Sequence, residues 1–152
     1  MPTLSISKWL LVCLIIVAAI GFIDSTYLTV EHYTNTNPPC YIGSCETVLT
    51  SSYSVIAGIP LALLGSLYYI FILLSLLIFL DSKKEFFLRL GLFSTTIGFV
   101  VSVYLFILQA SVIHAFCQYC LGSATTSTIL FIAAVYVIVK SKKLSRGGQL
   151  LS

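Results

Sequence analysis

Residues 116–139 read FCQYCLGSATTSTILFIAAVYVIV, a C-x-x-C motif at the start of a long apolar stretch. About 20 such residues are enough for a helix to cross a hydrocarbon core of roughly 30 Å. If the stretch is a membrane helix, Cys117 and Cys120 lie at the bilayer surface, within reach of lipid-soluble molecules and of soluble proteins. This placement predicts thiol redox chemistry.

The composition of the 152 residues is that of an integral membrane protein. Hydrophobic residues make up 59% and charged residues 9% of the chain, and the mean hydropathy is +1.06, far outside the range of soluble globular proteins. Five acids and two His are too few for a hydrolytic site rich in acid–base groups, and no Gly-rich phosphate loop is present. The net charge of +3 does not indicate a nucleic-acid partner, because the basic residues lie beside apolar spans.

Four apolar segments predict an all-α membrane protein, a four-transmembrane-helix bundle. The predicted spans are residues 9–30, 59–80, 90–113 and 116–139. The first span follows Lys8 but lacks a small-residue cleavage site, so a membrane helix is favoured over a cleaved signal. Residues 31–58 form a long loop, in which residues 46–57 predict a short helix along the membrane surface that ends at Gly58. Residues 140–152 are expected to form a basic, mobile tail.

The basic residues predict the orientation of the bundle. Every Lys and Arg flanks one side of a four-span topology, and residues 31–58 contain none. The basic residues are Lys8, Lys83, Lys84, Arg89, Lys140, Lys142, Lys143 and Arg146. By the positive-inside rule we expect both termini on the cytoplasmic side of the plasma membrane, and the long loop and the turn at His114 on the extracytoplasmic face. Both cysteine pairs then lie in a compartment where disulfides persist.

Four of the five cysteines form two close pairs, Cys40/Cys45 and Cys117/Cys120. Side chains three residues apart on a helix lie about 5–6 Å apart, so Cys117 and Cys120 can form a disulfide or face one site as thiols. A helix N-terminus also favours the thiolate of Cys117. Two pairs on one membrane face favour thiol–disulfide exchange in series, in which a thiolate of one pair attacks the disulfide of the other.

Two structural alternatives stay open for the cysteines. Inert disulfides would make the protein a non-enzymatic membrane scaffold, although a cross-link over so short a loop adds little stability. A four-cysteine zinc site also fits the pair spacings, but disulfide formation would compete with it in an oxidising compartment. The fifth cysteine, Cys13, is expected to be only a small apolar side chain.

Asp24 is the one acidic residue inside the apolar spans. An ionisable group in the membrane is costly unless it faces a polar cavity. Two interpretations of Asp24 stay open at this point, a functional role and hydrogen bonding to neighbouring helices or to interfacial water.

Several motifs together resemble the vitamin K epoxide reductase family. They are Cys40-x4-Cys45, Ser51 six residues later, Gly58-Ile59-Pro60 at the second span and Phe116-Cys117-Gln118-Tyr119-Cys120 at the fourth. The resemblance covers about residues 9–139 and is to the prokaryotic branch of membrane disulfide-generating enzymes. It implies a quinone-dependent thiol oxidoreductase that passes electrons from a thioredoxin-like protein through the two Cys pairs to a membrane quinone.

The resemblance also implies a role for each site residue. Cys40 would be attacked by the thioredoxin-like partner, and Cys45 would exchange with Cys117. Cys117 would be joined to Cys120 in a disulfide at rest, and Cys120 would contact the quinone. Ser51 would orient or polarise the quinone. No metal is expected.

A quinone pocket needs apolar walls and a few polar groups that fix the head group. The candidates are Ser51, Ser66, Tyr69 and the Cys120 sulfur. Tyr119, inside the C-x-x-C motif, is expected to point to lipid as an interfacial aromatic residue.

Two departures from the family's animal members bear on the substrate. Those members have a tyrosine where this chain has Ala124, and an asparagine that has no counterpart in residues 61–80. The resemblance therefore implies a menaquinone or ubiquinone, with a vitamin K quinone or epoxide reductase as the alternative. Many bacterial members continue into a fused thioredoxin-like domain; because this chain ends at Ser152, its partner is expected to be a separate protein.

Overall fold

The computed structural model describes residues 6–36, 38–41 and 43–149, and the side chains among these up to residue 141. Its elements in chain order are α1 (Lys8–Thr34), α2 (Cys45–Leu49), β1 (Val55–Ile56), β2 (Ile59–Pro60), α3 (Leu61–Ser82), α4 (Glu85–Leu108), a π-helical turn (Gln109–Ile113) and α5 (Gln118–Gln149). Four helices, α1, α3, α4 with the π-helical turn, and α5, are long and apolar enough to cross a membrane. The prediction of a four-helix membrane bundle is confirmed.

The long helices extend beyond several of the predicted spans. Helix α1 begins after Ser7, whose hydroxyl accepts a hydrogen bond from the Leu10 N–H at 3.3 Å and caps the helix. It ends at Asn35, which adopts a left-handed conformation with φ of 52°. Residues 140–149 continue α5 instead of forming a mobile tail, because Lys, Leu and Arg are good helix formers; residues 150–152 of the expected tail lie outside the described residues.

The core fills the interior of the bundle with apolar side chains from all four long helices. It contains Leu11, Leu14, Ala18, Tyr69, Ile72, Leu76, Phe79, Leu88, Leu92, Leu130, Ala134 and Val137. Two glycines let tyrosines of α3 approach neighbouring helices, since a Cβ at Gly21 would collide with the Tyr69 ring and a Cβ at Gly98 with the Tyr68 ring. These contacts hold both rings beside the site described below.

The loop between α1 and α3 differs from the prediction in its second half. Helix α2 is one short turn, and the chain then forms an antiparallel hairpin of β1 and β2, where a longer surface helix was expected. Ala57 (φ 52°) and Gly58 (φ 82°) form the two-residue turn, and positive φ at both positions is what a type I′ hairpin turn requires. The β-branched residues Val55, Ile56 and Ile59 favour strands over a helix.

The third long helix ends in an unusual way. The five residues Gln109–Ile113 form a π-helical turn, and His114, with φ of 52°, then redirects the chain toward α5. Such turns are rare and occur frequently at functional sites. Here the turn leaves the polar Gln109 side chain buried, with only 5% of the residue exposed.

Candidate active site

The long loop is attached to the C-x-x-C motif through its backbone. The Ser44 N–H donates to the Phe116 carbonyl at 2.9 Å, and Gly43 pairs with Cys117 in an isolated antiparallel bridge. Gly43 has φ of +89°, and a Cβ there would collide with the Phe116 carbonyl oxygen. Only glycine therefore permits this approach without strain.

Two side chains of the motif also contact the loop. The Tyr119 hydroxyl and the Gln118 Nε2 donate to the Pro39 carbonyl at 3.1 and 3.3 Å, and the Gln118 Oε1 accepts from the Tyr41 N–H at 3.2 Å. The Tyr119 ring lies 5.5 Å from that of Tyr27, measured between centroids. The expectation that Tyr119 points to lipid is wrong, because its hydroxyl finds an acceptor in the loop.

The four cysteines of the two pairs lie in one apolar cluster. Cys45 and Cys117 are fully buried and pack with Val48, while Cys40 and Cys120 pack against them and are partly buried. Cys40 and Cys45 form a disulfide with a Cα–Cα distance of 5.9 Å. Cys117 and Cys120 are free thiols. The loop thus brings its disulfide to the C-x-x-C pair.

The redox state of the C-x-x-C pair differs from what the family resemblance implies. A Cys117–Cys120 disulfide was expected at rest, whereas the structure has a hydrogen-bonded pair of thiols there. Because residues at this spacing at a helix start can share either a covalent bond or a hydrogen bond, both states fit the same backbone. The structure combines one oxidised pair with one reduced pair, from which a thiolate can attack a disulfide.

The position of Cys117 at the start of α5 favours its thiolate. Its carbonyl accepts the first hydrogen bond of the helix, from the Leu121 N–H at 3.0 Å, so Cys117 is the cap residue and not part of the first turn. A hydrogen bond from the Cys120 thiol, helped by the backbone N–H groups of Cys120 and Tyr119, lowers the pKa of Cys117 from 9.0 to about 7, although burial acts against this shift. A thiol with such a pKa is a nucleophile near neutral pH.

Gln109 is a site residue that the sequence analysis did not select. Its Oε1 accepts a hydrogen bond from the Cys117 N–H at 3.3 Å, and its side chain also hydrogen-bonds with the Cys120 thiol. The π-helical turn places it there, and a turn of this kind leaves no clear pattern in a single apolar sequence. The one signal in the sequence was a polar amide in an otherwise apolar span, which is uncommon in membrane helices without a polar partner.

A cavity of about 410 Å³ lies between the long helices and the loop, with Cys120 in its wall. The volume is within the range of roughly 300–1,000 Å³ that is typical of small-molecule sites. Most of the lining is apolar, and Ala124 is part of it. Three of the four predicted pocket residues, Ser51, Tyr69 and Cys120, line the cavity.

The other two predicted pocket residues that line the cavity, Ser51 and Tyr69, are both held by hydrogen bonds of their hydroxyls. The Ser51 hydroxyl donates to the Val48 carbonyl at 2.7 Å, so the end of α2 holds it at the wall. The Tyr69 hydroxyl lies 2.8 Å from the Ser123 carbonyl and 2.7 Å from the Thr126 hydroxyl of α5. Tyr69 thus ties α3 to α5 with its hydroxyl.

Ser66, the fourth predicted pocket residue, does not line the cavity. Its hydroxyl donates to the Ala62 carbonyl at 3.2 Å and lies within 3.3 and 3.4 Å of the Thr26 and Thr29 hydroxyls of α1. On α3 the cavity is lined by Gly65, Tyr68 and Tyr69 among others, whereas the Ser66 hydroxyl faces the two threonines of α1. Tyr68, which was not selected as a pocket residue, does line the cavity.

The four-cysteine zinc site was an open alternative for the two cysteine pairs. Among them, no group of three or more His, Cys, Asp or Glu side chains is arranged to hold a metal ion. Cys40 and Cys45 are joined in a disulfide, so in this state they are not thiolate ligands for a four-cysteine zinc site.

The sequence model of the vitamin K epoxide reductase family matches residues 12–135. This range includes the loop, both cysteine pairs and the residues that line the cavity. The chain belongs to this family. It is also 33% identical, over 138 residues, to thiol-disulfide oxidoreductase LTO1 of Arabidopsis thaliana, and the alignment covers 85% of this chain and 36% of that protein. The chain therefore spans little more than a third of that relative's length. The resemblance inferred from the cysteine spacings is confirmed at the level of the family.

Proposed function

We propose that the protein is a quinone-dependent thiol oxidoreductase that generates disulfides in a thioredoxin-like protein. Electrons pass from the partner to Cys40/Cys45, then to Cys117/Cys120 and then to a membrane quinone. The observation that carries this proposal is the packing of a disulfide and a dithiol in one buried cluster beside an apolar cavity. The name of the Arabidopsis relative, a thiol-disulfide oxidoreductase, supports the same class of reaction.

The first step takes place at the loop pair. Cys40 is partly exposed whereas Cys45 is fully buried, so a partner thiolate reaches the Cys40 sulfur. A partner–Cys40 bond forms, the Cys40–Cys45 bond breaks and Cys45 leaves as a thiolate. The partner's second thiolate then releases Cys40. The partner is now a disulfide, and two electrons reside on the loop dithiol.

The second step moves these electrons to an oxidised C-x-x-C pair. The Cys45 thiolate attacks the Cys117 sulfur, and Cys120 leaves as a thiolate. Cys40 then attacks Cys45, so that a Cys40–Cys45 disulfide forms again and Cys117 is released. The product of this step is a loop disulfide beside a Cys117/Cys120 dithiol, the combination seen in the structure.

The cavity fits a quinone as the final electron acceptor. Its walls are mostly apolar, its volume suits a ring with part of a prenyl tail, and Ser51, Tyr69 and Cys120 would hold the head group. A bound quinone would supply an acceptor for two electrons and two protons. Cys120, as the cysteine of the pair that lines the cavity, would present its sulfur to the ring. Because Ala124 offers no hydroxyl, we propose a menaquinone or ubiquinone as the quinone.

We propose further that the cysteine end of the bundle faces the extracytoplasmic side of the plasma membrane. Lys8 begins α1, Lys83 and Lys84 connect α3 to α4, and Lys140 lies far along α5 from the cysteines. These residues are therefore at the opposite end of the four helices from the loop. The positive-inside rule places that end in the cytoplasm.

The experiment is quinone reduction by the purified protein in lipid nanodiscs. With a reduced thioredoxin-like protein as donor and menaquinone or ubiquinone as acceptor, we expect one quinone reduced per partner disulfide formed. Cys117→Ala and Cys120→Ala should abolish the reaction. Cys13→Ala is the matched control, because Cys13 is an exposed thiol on α1 outside the cluster, and it should retain full activity.

Three results would contradict the proposal. Quinone reduction that persists in Cys117→Ala or Cys120→Ala would exclude the C-x-x-C pair as the electron donor. Turnover of vitamin K epoxide to the quinone, without turnover of the respiratory quinones, would favour the epoxide reductase. Cysteine pairs that neither exchange with the partner nor react with an acceptor would favour a disulfide-linked scaffold.

A further inference from the structure

Asp24 of α1 lines the cavity together with Cys120 and Tyr69, yet the electron path above does not use it. Its Oδ2 atom is buried and has no hydrogen-bond partner among the residues that the structure describes. A carboxylate oxygen without a partner in a membrane helix is costly. Of the two interpretations of Asp24, hydrogen bonding to neighbouring helices does not account for this atom.

Asp24 is also electrostatically linked to the reactive thiols. It is close enough to the C-x-x-C pair for its charge to act on both Cys117 and Cys120, and that charge opposes the loss of the Cys117 proton. Two negative charges in one apolar pocket repel each other. A proton that leaves a thiol is therefore favoured to move to the Asp24 carboxylate, which keeps a single negative charge in the site.

The other titratable groups around the cavity are less suited to accept this proton. The hydroxyls of Tyr68 and Tyr69 on α3 contact hydroxyls or a carbonyl of α5, and tyrosine is a weak acid. His32 on α1 and Tyr53 in the loop are exposed. Among the described residues that line the cavity, Asp24 has the only carboxyl group, and none is Lys or Arg.

We propose that Asp24 is the proton-transfer residue of the Cys117/Cys120 site. When the dithiol is oxidised, two S–H bonds break, one S–S bond forms, and two electrons and two protons pass to the acceptor. Asp24 takes one of these protons from the thiols, hands it to the acceptor in the cavity and returns to the carboxylate. This inference rests on the proposed function for the identity of the acceptor, but not for the exchange of a proton between Asp24 and the dithiol.

The first test uses quinone-free protein. The alkylation rate of the Cys117/Cys120 dithiol by a small uncharged maleimide is measured against pH, with the modified peptide identified by mass spectrometry. In Asp24→Asn the profile should move to lower pH, because the repelling carboxylate is gone. Asp24→Glu should restore the wild-type profile. An Asp24→Asn profile identical to that of the wild type would overturn the proposal.

The second test measures quinone reduction by the same variants. Asp24→Asn should be slower by about 100-fold or more, although its thiols ionise more readily, and Asp24→Glu should recover part of the rate. A structural role would not combine more reactive thiols with slower turnover. Unchanged turnover in Asp24→Asn would overturn the proposal. If the wild type itself reduces no quinone, the proposed function fails, whereas the quinone-free profile still decides on Asp24.

A third test needs no substitution of Asp24 and so does not depend on the folding of a variant. The chain has two aspartates, Asp24 and Asp81, so ¹³C-labelled aspartate marks few carboxyl groups. The infrared difference spectrum recorded while the dithiol is oxidised should contain a transient labelled carboxylic-acid band. The band should persist in Asp81→Asn, since Asp81 is exposed near the end of α3. A spectrum without a labelled band would overturn the proposal.

Discussion

Gly43→Ala is expected to detach the loop from the C-x-x-C motif. The φ of +89° at Gly43 costs a residue with a Cβ about 1–2 kcal/mol. The collision of that Cβ with the Phe116 carbonyl oxygen also breaks the hydrogen bond that this oxygen accepts from Ser44, which contributes about 0.5–1.5 kcal/mol. Together these effects weaken loop docking by about 1.5–3.5 kcal/mol, which corresponds to about 10- to 300-fold in the opening equilibrium.

The assay is the rate at which a hydrophilic maleimide modifies Cys117. Cys117 is fully buried in the closed structure, so modification requires the loop to open, and the rate follows the opening equilibrium when closing is fast. In Gly43→Ala the rate should rise by about 10- to 300-fold, as derived from the docking energy. Peptide mass spectrometry separates this signal from any modification of Cys13, which lies inside the first membrane span.

Two other glycines provide matched controls. Gly58 has a comparable φ of +82°, but a Cβ at that position would meet only open space, and Gly122 lies in α5 with open space as well. Gly58→Ala therefore introduces a Cβ at a positive φ but causes no collision. Gly122→Ala introduces a Cβ with neither a positive φ nor a collision. A Cys117 rate in Gly43→Ala equal to that in Gly122→Ala would refute the inference that this backbone contact holds the loop closed.

Three further predictions concern residues around the cysteines. The alkylation rate of Cys117 should be half-maximal near its pKa of about 7. At pH 5 it should be about 100-fold below its maximum at high pH, because only the thiolate reacts and its fraction falls tenfold per pH unit below the pKa. Gln109→Leu should lower the free energy of unfolding by about 1–3 kcal/mol, measured by denaturant titration, because the buried Cys117 N–H loses its acceptor. Ser66→Ala should leave the KM for quinone unchanged, whereas Ser51→Ala, which alters the cavity wall, should raise it about fivefold; the opposite order would contradict the assignment of Ser66 to the α1 interface.

The four long helices were predictable because hydropathy depends on composition alone. Leu61–Ser82, for example, is almost continuously apolar, and no tertiary contact is needed to recognise a segment of that length as a membrane span. The cysteine spacings were similarly informative, since they identified the family that matches residues 12–135. Helix α4 starts at Glu85, five residues before the predicted span, because Glu85 and Arg89 lower the hydropathy of its first residues.

The remainder of the site depends on which face of each helix meets its neighbours. Ser66 and Tyr69 both lie in α3, yet only Tyr69 reaches the cavity, and the sequence does not give the rotation of a helix that is apolar on all sides. Gln109 becomes a site residue through a π-helical turn. The hairpin at Ala57 and Gly58 was missed because its strands are too short to show an alternating pattern.

Disulfide mapping in Cys120→Ser tests the central claim, that the loop pair and the C-x-x-C pair exchange directly through Cys45 and Cys117. The Cys117 thiolate attacks Cys45, the Cys40–Cys45 bond breaks, and excess maleimide traps the departing Cys40 thiolate before the exchange reverses. The account predicts a Cys45–Cys117 disulfide with alkylated Cys40. An intact Cys40–Cys45 disulfide with Cys117 alkylated throughout the sample would contradict it.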